Sequence, residues 1–189
     1  MLKALFLGLL FLGQLMATET DLKLLISKEQ IDSRIKEVAQ QIDQEYQGKE
    51  IVLVMVMKGA IFVTADLMSE IKVPCTLEYV KASSYGQNGT VNGALKLKGI
   101  EDLSLKGKHV IVIDDIFDTG TTMTAIKNQL LLQEPASLKT LVLLVKNRPR
   151  SLDAIVPDYV LFPIEDEFVV GYGLDYKEQH RGLKGVYAK

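Results

Sequence analysis

The chain is 189 residues long, 48% hydrophobic and 24% charged, with 22 basic and 24 acidic side chains and a formal net charge of −2. That length suits one domain with its own core, and the balanced charge gives no general nucleic-acid or membrane-seeking surface. The lone cysteine, Cys75, excludes an internal disulfide and a paired-cysteine metal or redox site, in keeping with a reducing compartment.

Residues 1–15, MLKALFLGLLFLGQL, carry one lysine and then an almost unbroken apolar run. The run is short for a membrane span and has the length of a signal-peptide core, so it is either an export or anchoring segment or an upstream extension of a chain that starts at Met16. From Ser27 onward, Ile31, Ile35, Val38, Ile42 and Tyr46 recur at helical steps, and Ser27 with Gln30 has capping-box spacing; the helix is expected to end near Gly48. IVLVMVM, 51–57, is a continuous apolar strand that stops at Lys58-Gly59, as a parallel strand covered on both faces would. AIFVTADLMSEI has a helical pattern and CTLEYVKA a strand pattern.

SSYGQNGTVNG, 83–93, is rich in glycine, asparagine and hydroxyls and is expected to be a mobile loop. ALKLKG alternates like a half-exposed strand. HVIVI is the next strand, followed by a helix from about Thr122 to Gln133, the strand TLVLLVK and a strand at YVLFPI. Strands separated by helices predict an α/β fold with a mostly parallel twisted sheet flanked by helices.

The stretch VIVIDDIFDTGTTM, 110–123, joins a buried strand to a helix at the position where parallel sheets collect ligands. Thr119, Gly120, Thr121 and Thr122 offer backbone amides, close approach and hydroxyls, a set suited to a phosphate monoester. Asp114 and Asp115 suit the vicinal hydroxyls of a ribose or a divalent cation, and Asp118 stands nearer the reacting atoms. A phosphate at one end and a diol in the middle describe a phosphorylated pentose. Solvated loop acids with a capping threonine are the plain alternative for any one of these residues, and it weakens when seven of them gather behind one strand. DTGT also occurs around the catalytic acid of aspartic proteases, but those are all β, whereas Met123, Ile126 and Leu130 continue here at helical spacing.

The same stretch resembles the 5-phosphoribosyl diphosphate binding motif of type I phosphoribosyltransferases. With MKGA at 57–60, SSYG at 83–86, LLVKNRPRS at 143–151 and DEFVVGYGLDYKEQHR at 166–181, the chain resembles the hypoxanthine-guanine phosphoribosyltransferases over roughly residues 16–189. The resemblance implies transfer of phosphoribose from 5-phosphoribosyl 1-diphosphate to hypoxanthine or guanine, with Mg2+, in the cytoplasm, by a homodimer or homotetramer that uses no nucleic acid and no membrane for its folded domain. It favours the upstream-extension reading of residues 1–15, and implies a small hood made by the N-terminal part and about 163–189.

By position, the resemblance makes Asp118 the catalytic acid/base and a phosphoribosyl contact together with Asp114, Asp115, Thr119, Gly120, Thr121 and Thr122. Lys58, Gly59 and Arg181 would meet the pyrophosphate, after a cis peptide at Lys58. Lys146, Phe168, Val169 and Asp175 would bind the purine, and Ser84 and Tyr85 would belong to a closing loop. Asp114, Asp115 and Asp175 would approach the metal. Asp114 stands where the family often has glutamate, and Glu165 where it usually has proline. His109 and His180 receive no role. Two alternatives remain open: transfer to another base such as xanthine, or a nucleotide-sensing RNA-binding regulator on the same fold.

Overall fold

The structure, a computed structural model, describes residues 22–84 and 95–189. The N-terminal apolar run and most of the glycine-rich segment, Tyr85 included, lie outside the described residues. Among the described residues no helix is long and apolar enough to cross a membrane.

In chain order the elements are β1 Lys23–Ile26, α1 Lys28–Glu45, β2 Ile51–Met57, α2 Ile61–Glu70, β3 Cys75–Ser84, β4 Leu95–Lys98, β5 His109–Phe117, α3 Thr121–Leu131, β6 Ser137–Lys146, β7 Tyr159–Ile164, β8 Val169–Val170 and β9 Val186–Ala188. The main sheet has the order β4-β3-β2-β5-β6-β7. Its pairs are parallel except β3 with β4, where Leu97 opposes Ala82 in an antiparallel edge. The expected mostly parallel sheet is therefore present, with one antiparallel edge strand.

The reason for the unbroken apolar runs is visible in how each strand divides its side chains. Leu53 and Met55 of β2 and Ile111 and Ile113 of β5 pack with Ile31, Ile35 and Ile42 of α1 and Val63 and Leu67 of α2. Val52, Val54, Val110 and Val112 point the other way and pack with Met123, Ile126 and Leu130 of α3. Strand side chains alternate between faces, so a strand covered on both sides must be apolar at every position. α1 is held at its start by the capping box: Ser27 Oγ accepts from the Gln30 amide at 3.3 Å and Gln30 Oε1 accepts from the Ser27 amide at 2.8 Å.

Several boundaries differ from the sequence expectation. β5 does not stop at Ile113 but runs on to Phe117, so Asp114 and Asp115 are strand residues. β3 absorbs Ser83 and Ser84, which the loop reading had claimed. α3 begins at Thr121 and ends at Leu131, two residues before Gln133. Ladder pairing carries β5 through Phe117 opposite Val145 and β3 through Ser84 opposite Leu95; Gly120 sets the start of α3, and the Leu132, Gln133 and Glu134 amides, bonding three residues back, tighten its end.

A second sheet of three short strands, order β1-β9-β8, is antiparallel throughout. It is tied to the main layer through Tyr172, whose hydroxyl donates to Asp66 Oδ2 on α2 at 2.6 Å and whose ring lies 5.7 Å from that of Phe62. Burial and the Asp66 carboxylate push the Tyr172 hydroxyl above the ordinary tyrosine range. Tyr172→Phe should lower unfolding stability by about 1.5 kcal/mol, the typical worth of a buried hydrogen bond to a charged acceptor. An unchanged midpoint in urea melts would show that this contact does not tie the two sheets.

Candidate active site

Along the main sheet, the chain leaves β2 toward β3 on one side, while β5 leads to β6 and β7 on the other. β2 and β5 are neighbours, so their carboxyl ends flank the point where the winding reverses, the place where open α/β sheets bind ligands. A cavity of about 320 Å³ opens there. It is lined by Lys58 and Gly59 after β2, by Asp114, Asp115 and Asp118 through Met123 from β5 into α3, and by Asp175 and Arg181 from the C-terminal segment.

The β5 side supplies two kinds of group. Gly120 is the N-cap of α3 at φ 87°, and no side chain caps that helix. A Cβ there would lie 2.6 Å from Phe117 Cζ and 2.7 Å from Ala154 Cβ, so only glycine fits both the conformation and the space. The turn is braced rather than filled: Thr121 Oγ1 lies 3.0 Å from Thr119 Oγ1 and 2.9 Å from Ser151 Oγ, and the Ser151 amide donates to the Thr119 carbonyl at 3.0 Å. The first amides of α3 are thus left for an anion.

The acids form the second kind. Asp114 is 7% exposed, and its Oδ1 accepts from the Asp115 amide at 2.9 Å. Burial first, and then the neighbouring Asp115 charge, push Asp114 well above the usual carboxylate range. Asp115 is raised as well, chiefly by burial, against a smaller opposing pull from Arg181. A buried acid beside a half-buried one, both held above their usual range, favours uptake of positive charge or of hydrogen-bonding hydroxyls.

Across the cavity, the Met57–Lys58 peptide is cis, as the resemblance implied. A Cβ on Gly59 would meet Asp115 Oδ2 at 1.6 Å, so the β2 end and the β5 acid are packed backbone against carboxylate. Lys58 Nζ bonds Glu178 Oε2 at 2.9 Å, and Arg181 Nη2 reaches Asp175 Oδ1 at 2.7 Å and Glu178 Oε2 at 3.3 Å. Lys58 first, then Arg181, hold the Glu178 carboxylate below its usual range. Arg181 Nη1 donates to the Gly173 carbonyl at 2.7 Å, and its buried Nε has no partner.

Lys146, Phe168 and Val169 do not line this cavity. Lys146 ends β6 with 12% side-chain exposure, and its Nζ lies 3.1 Å from Asp166 Oδ1. Arg148 extends that ion pair, with Nη1 3.6 Å from Asp166 Oδ1 and 2.9 Å from Asp118 Oδ1. Lys146 is thereby connected to Asp118 through Asp166 and Arg148 without lining the cavity. Phe168 is 51% exposed, packed edge-on against Tyr176 at 5.7 Å, and Val169 is buried in β8. Ser84 closes β3, and Tyr85 lies outside the described residues. His109 pairs with Ser137 Oγ at 2.8 Å, far down β5, and His180 sits in the C-terminal turns.

Three residues here escaped the sequence expectation: Arg148, Asp166 and Glu178. The only available signal was proximity in sequence to Lys146, Phe168 and Arg181. Among the described residues no group of three or more His, Cys, Asp or Glu is arranged to hold a metal by protein ligands alone.

Comparison with known proteins agrees with this geometry. Residues 27–177 match the family model described as a phosphoribosyl transferase domain. The chain is 41% identical over 167 residues to a hypoxanthine-guanine phosphoribosyltransferase of Aquifex aeolicus, spanning 88% of this chain and 93% of the relative. It is likewise 41% identical over 162 residues to a hypoxanthine phosphoribosyltransferase of Haemophilus influenzae, spanning 84% and 90%. Among solved structures, a hypoxanthine-guanine phosphoribosyltransferase of Bacillus anthracis superposes with a TM-score of 0.80 at 39% identity, covering 88% of this chain and 96% of that one. The hypoxanthine phosphoribosyltransferase of Trypanosoma cruzi in complex with the product IMP gives 0.80 at 37% identity, covering 88% and 92%. The uncapped α3 turn, the acid pair ending β5 and the facing Lys58 and Arg181 therefore belong to a member of the type I phosphoribosyltransferase family, in its hypoxanthine-guanine branch.

Proposed function

We propose that the protein salvages purines, transferring phosphoribose from 5-phosphoribosyl 1-diphosphate to hypoxanthine or guanine and releasing IMP or GMP with pyrophosphate. The observation that carries it is the cavity between β2 and β5, where an uncapped helix start, the adjacent acids Asp114 and Asp115 and two cations face one another. In the reaction the bond from ribose C1 to the diphosphate oxygen breaks, the bond from C1 to purine N9 forms, and the purine loses a proton.

The residues divide the work by chemistry. The amides of residues 119–122 hold the 5-phosphate, and Asp114 and Asp115 accept from the ribose hydroxyls. Asp118 takes the purine proton. Its Oδ1 is buried, with Arg148 as its ion partner. Lys58, Gly59 and Arg181 receive the leaving diphosphate, and the unpartnered Arg181 Nε is a donor suited to it. Lys146 donates to the purine 6-oxo group, Phe168 covers the base, and backbone groups near Val169 read its edge.

The adjacent acids Asp114 and Asp115, which line the cavity, would fit a Mg2+ ion, which takes one or two carboxylates and completes its shell with substrate oxygens; Asp175 would stand beside a second. When bound, magnesium neutralises charge on the departing diphosphate. The three-stranded sheet, with the segment that carries Asp175 and Arg181, serves as the hood, and Tyr85, which follows the end of β3 at Ser84, belongs to the loop that closes the site. A cytoplasmic setting follows from where the donor is found, and the exposed Ile61, Phe62, Leu77 and Tyr79 offer a surface for a homodimer or homotetramer.

The decisive experiment is a panel of hypoxanthine, guanine, xanthine and adenine with donor and magnesium, read as pyrophosphate release. Hypoxanthine and guanine should react and adenine should not, because Lys146 can only donate and would meet the 6-amino donor. Lys146→Ala should raise the KM for hypoxanthine by about tenfold or more, the worth of one charge-assisted hydrogen bond, with the donor KM little changed. Turnover of adenine by the unaltered protein would overturn the assignment of the base.

A further inference from the structure

The cations suited to the diphosphate are already engaged. Glu178 Oε2 accepts from Lys58 Nζ at 2.9 Å and lies 3.3 Å from Arg181 Nη2, so one carboxylate oxygen bridges a residue at the end of β2 and a residue of the C-terminal segment. A carboxylate oxygen between an ammonium and a guanidinium occupies the setting that a phosphate oxygen would take.

The local backbone shows how that oxygen is delivered. Tyr176 and Gln179 exchange backbone hydrogen bonds of 3.1 and 3.0 Å, closing a two-residue turn over Lys177 and Glu178. Both turn residues have positive φ, 52° and 64°, a conformation that usually calls for glycine or asparagine. The Glu178 amide donates to Asp175 Oδ2 at 2.8 Å, while Asp175 Oδ1 holds Arg181 at 2.7 Å. Asp175 therefore fixes the turn and the arginine together, and the turn carries the glutamate onto both cations. The strained residues recur where a side chain must be aimed, here at two groups separated by more than a hundred positions in sequence from one another.

We propose that Glu178 is an internal competitor for the diphosphate subsite: its carboxylate pairs with Lys58 and Arg181 when the subsite is free and must leave when a diphosphate enters. This rests on the transfer reaction proposed above. In such an arrangement the apparent affinity for any diphosphate is the intrinsic affinity scaled by the fraction of molecules with Glu178 displaced. The same contact helps pyrophosphate depart, because the returning carboxylate replaces its hydrogen bonds as it leaves. The cations are never left without an anion, and the leaving group is not held too tightly.

The test is calorimetric titration of the protein with magnesium pyrophosphate, without any purine, comparing the unaltered chain with Glu178→Gln and Glu178→Asp. Glu178→Gln keeps the size and the backbone and removes the charge. It should bind pyrophosphate about three- to tenfold more tightly, the range expected when exposed ion pairs of this kind are lost as competitors. Glu178→Asp should fall between the two. In steady-state assays the donor KM should drop by the same factor while the hypoxanthine KM stays put, a split that a general loosening of the fold would not produce. Glu178→Gly, which removes both the carboxylate and the turn strain, gives an independent check should the glutamine variant fold poorly, and it should also bind more tightly. Equal or weaker pyrophosphate binding in the folded variants overturns the proposal. A failure of the purine panel with pyrophosphate binding intact would instead overturn the choice of acceptor, so the two outcomes stay separate.

Discussion

Asp118→Asn should lower kcat by about 10²- to 10⁴-fold, the usual worth of a positioned acid/base, while binding of the phosphoribosyl donor is largely retained. The substitution is close to isosteric, and the turn that would hold the 5-phosphate does not depend on it: Gly120, the Thr119–Thr121–Ser151 hydroxyl contacts and the α3 amides are all held by other groups. What is lost is the anion. Asp118 Oδ1 is buried and has the Arg148 guanidinium at 2.9 Å as its charged partner, so the amide would deprive the site both of its proton acceptor and of the charge that holds Arg148 beside it. Donor affinity by calorimetry and kcat with hypoxanthine separate the two effects. A kcat within tenfold of the original would remove Asp118 from the proton-transfer role.

Gly173→Ala should damage stability and donor binding together. A Cβ at residue 173 would lie 2.0 Å from the Gly59 carbonyl oxygen and 3.1 Å from the Gly59 carbonyl carbon, and Gly173 has φ 103°. Neither obstacle is the tip of a flexible side chain; both belong to the backbone that follows Lys58. The left-handed conformation alone costs an alanine on the order of 1–3 kcal/mol, and the overlap adds to it by forcing the C-terminal segment off the end of β2. We expect a loss of about 3–4 kcal/mol, at the high end for single substitutions, and a donor KM raised at least tenfold because Gly59 and Arg181 no longer face one cavity. Urea denaturation and donor titration on one preparation measure both. If stability falls with donor binding unchanged, Gly173 matters only to packing; if neither moves, the close approach of the two backbones is not required.

The main sheet and its helices were readable because their signals are periodic. IVLVMVM and the VIVI of 110–113 are apolar at every position, since each strand is buried by α1 and α2 on one side and α3 on the other, and the capping box announces α1. The β5 acids are legible as a site but fall outside the expected strand HVIVI: a charged pair reads as the end of a strand, whereas ladder pairing with β6 carries the strand through them. The second sheet escaped because its strands span only two to four residues each, too few to show alternation, and because its pairing joins distant parts of the chain. The ion pairs of Arg148, Asp166 and Glu178 escaped for a related reason. A charged side chain looks the same in sequence whether it meets solvent or a partner more than a hundred positions away.

That second sheet bears on how the protein comes into being. β1, the first described strand, pairs with β9, the last, with Leu24 opposite Tyr187. Asp175 and Arg181, which complete the cavity, lie ahead of β9. During synthesis the cavity can have its β2 and β5 walls while β1 still has no strand to pair with, because contacts between distant residues form only after the intervening chain exists. A growing chain should therefore carry a folded but open cavity until β9 has been made, and complete that cavity in one late step as β1 and β9 pair.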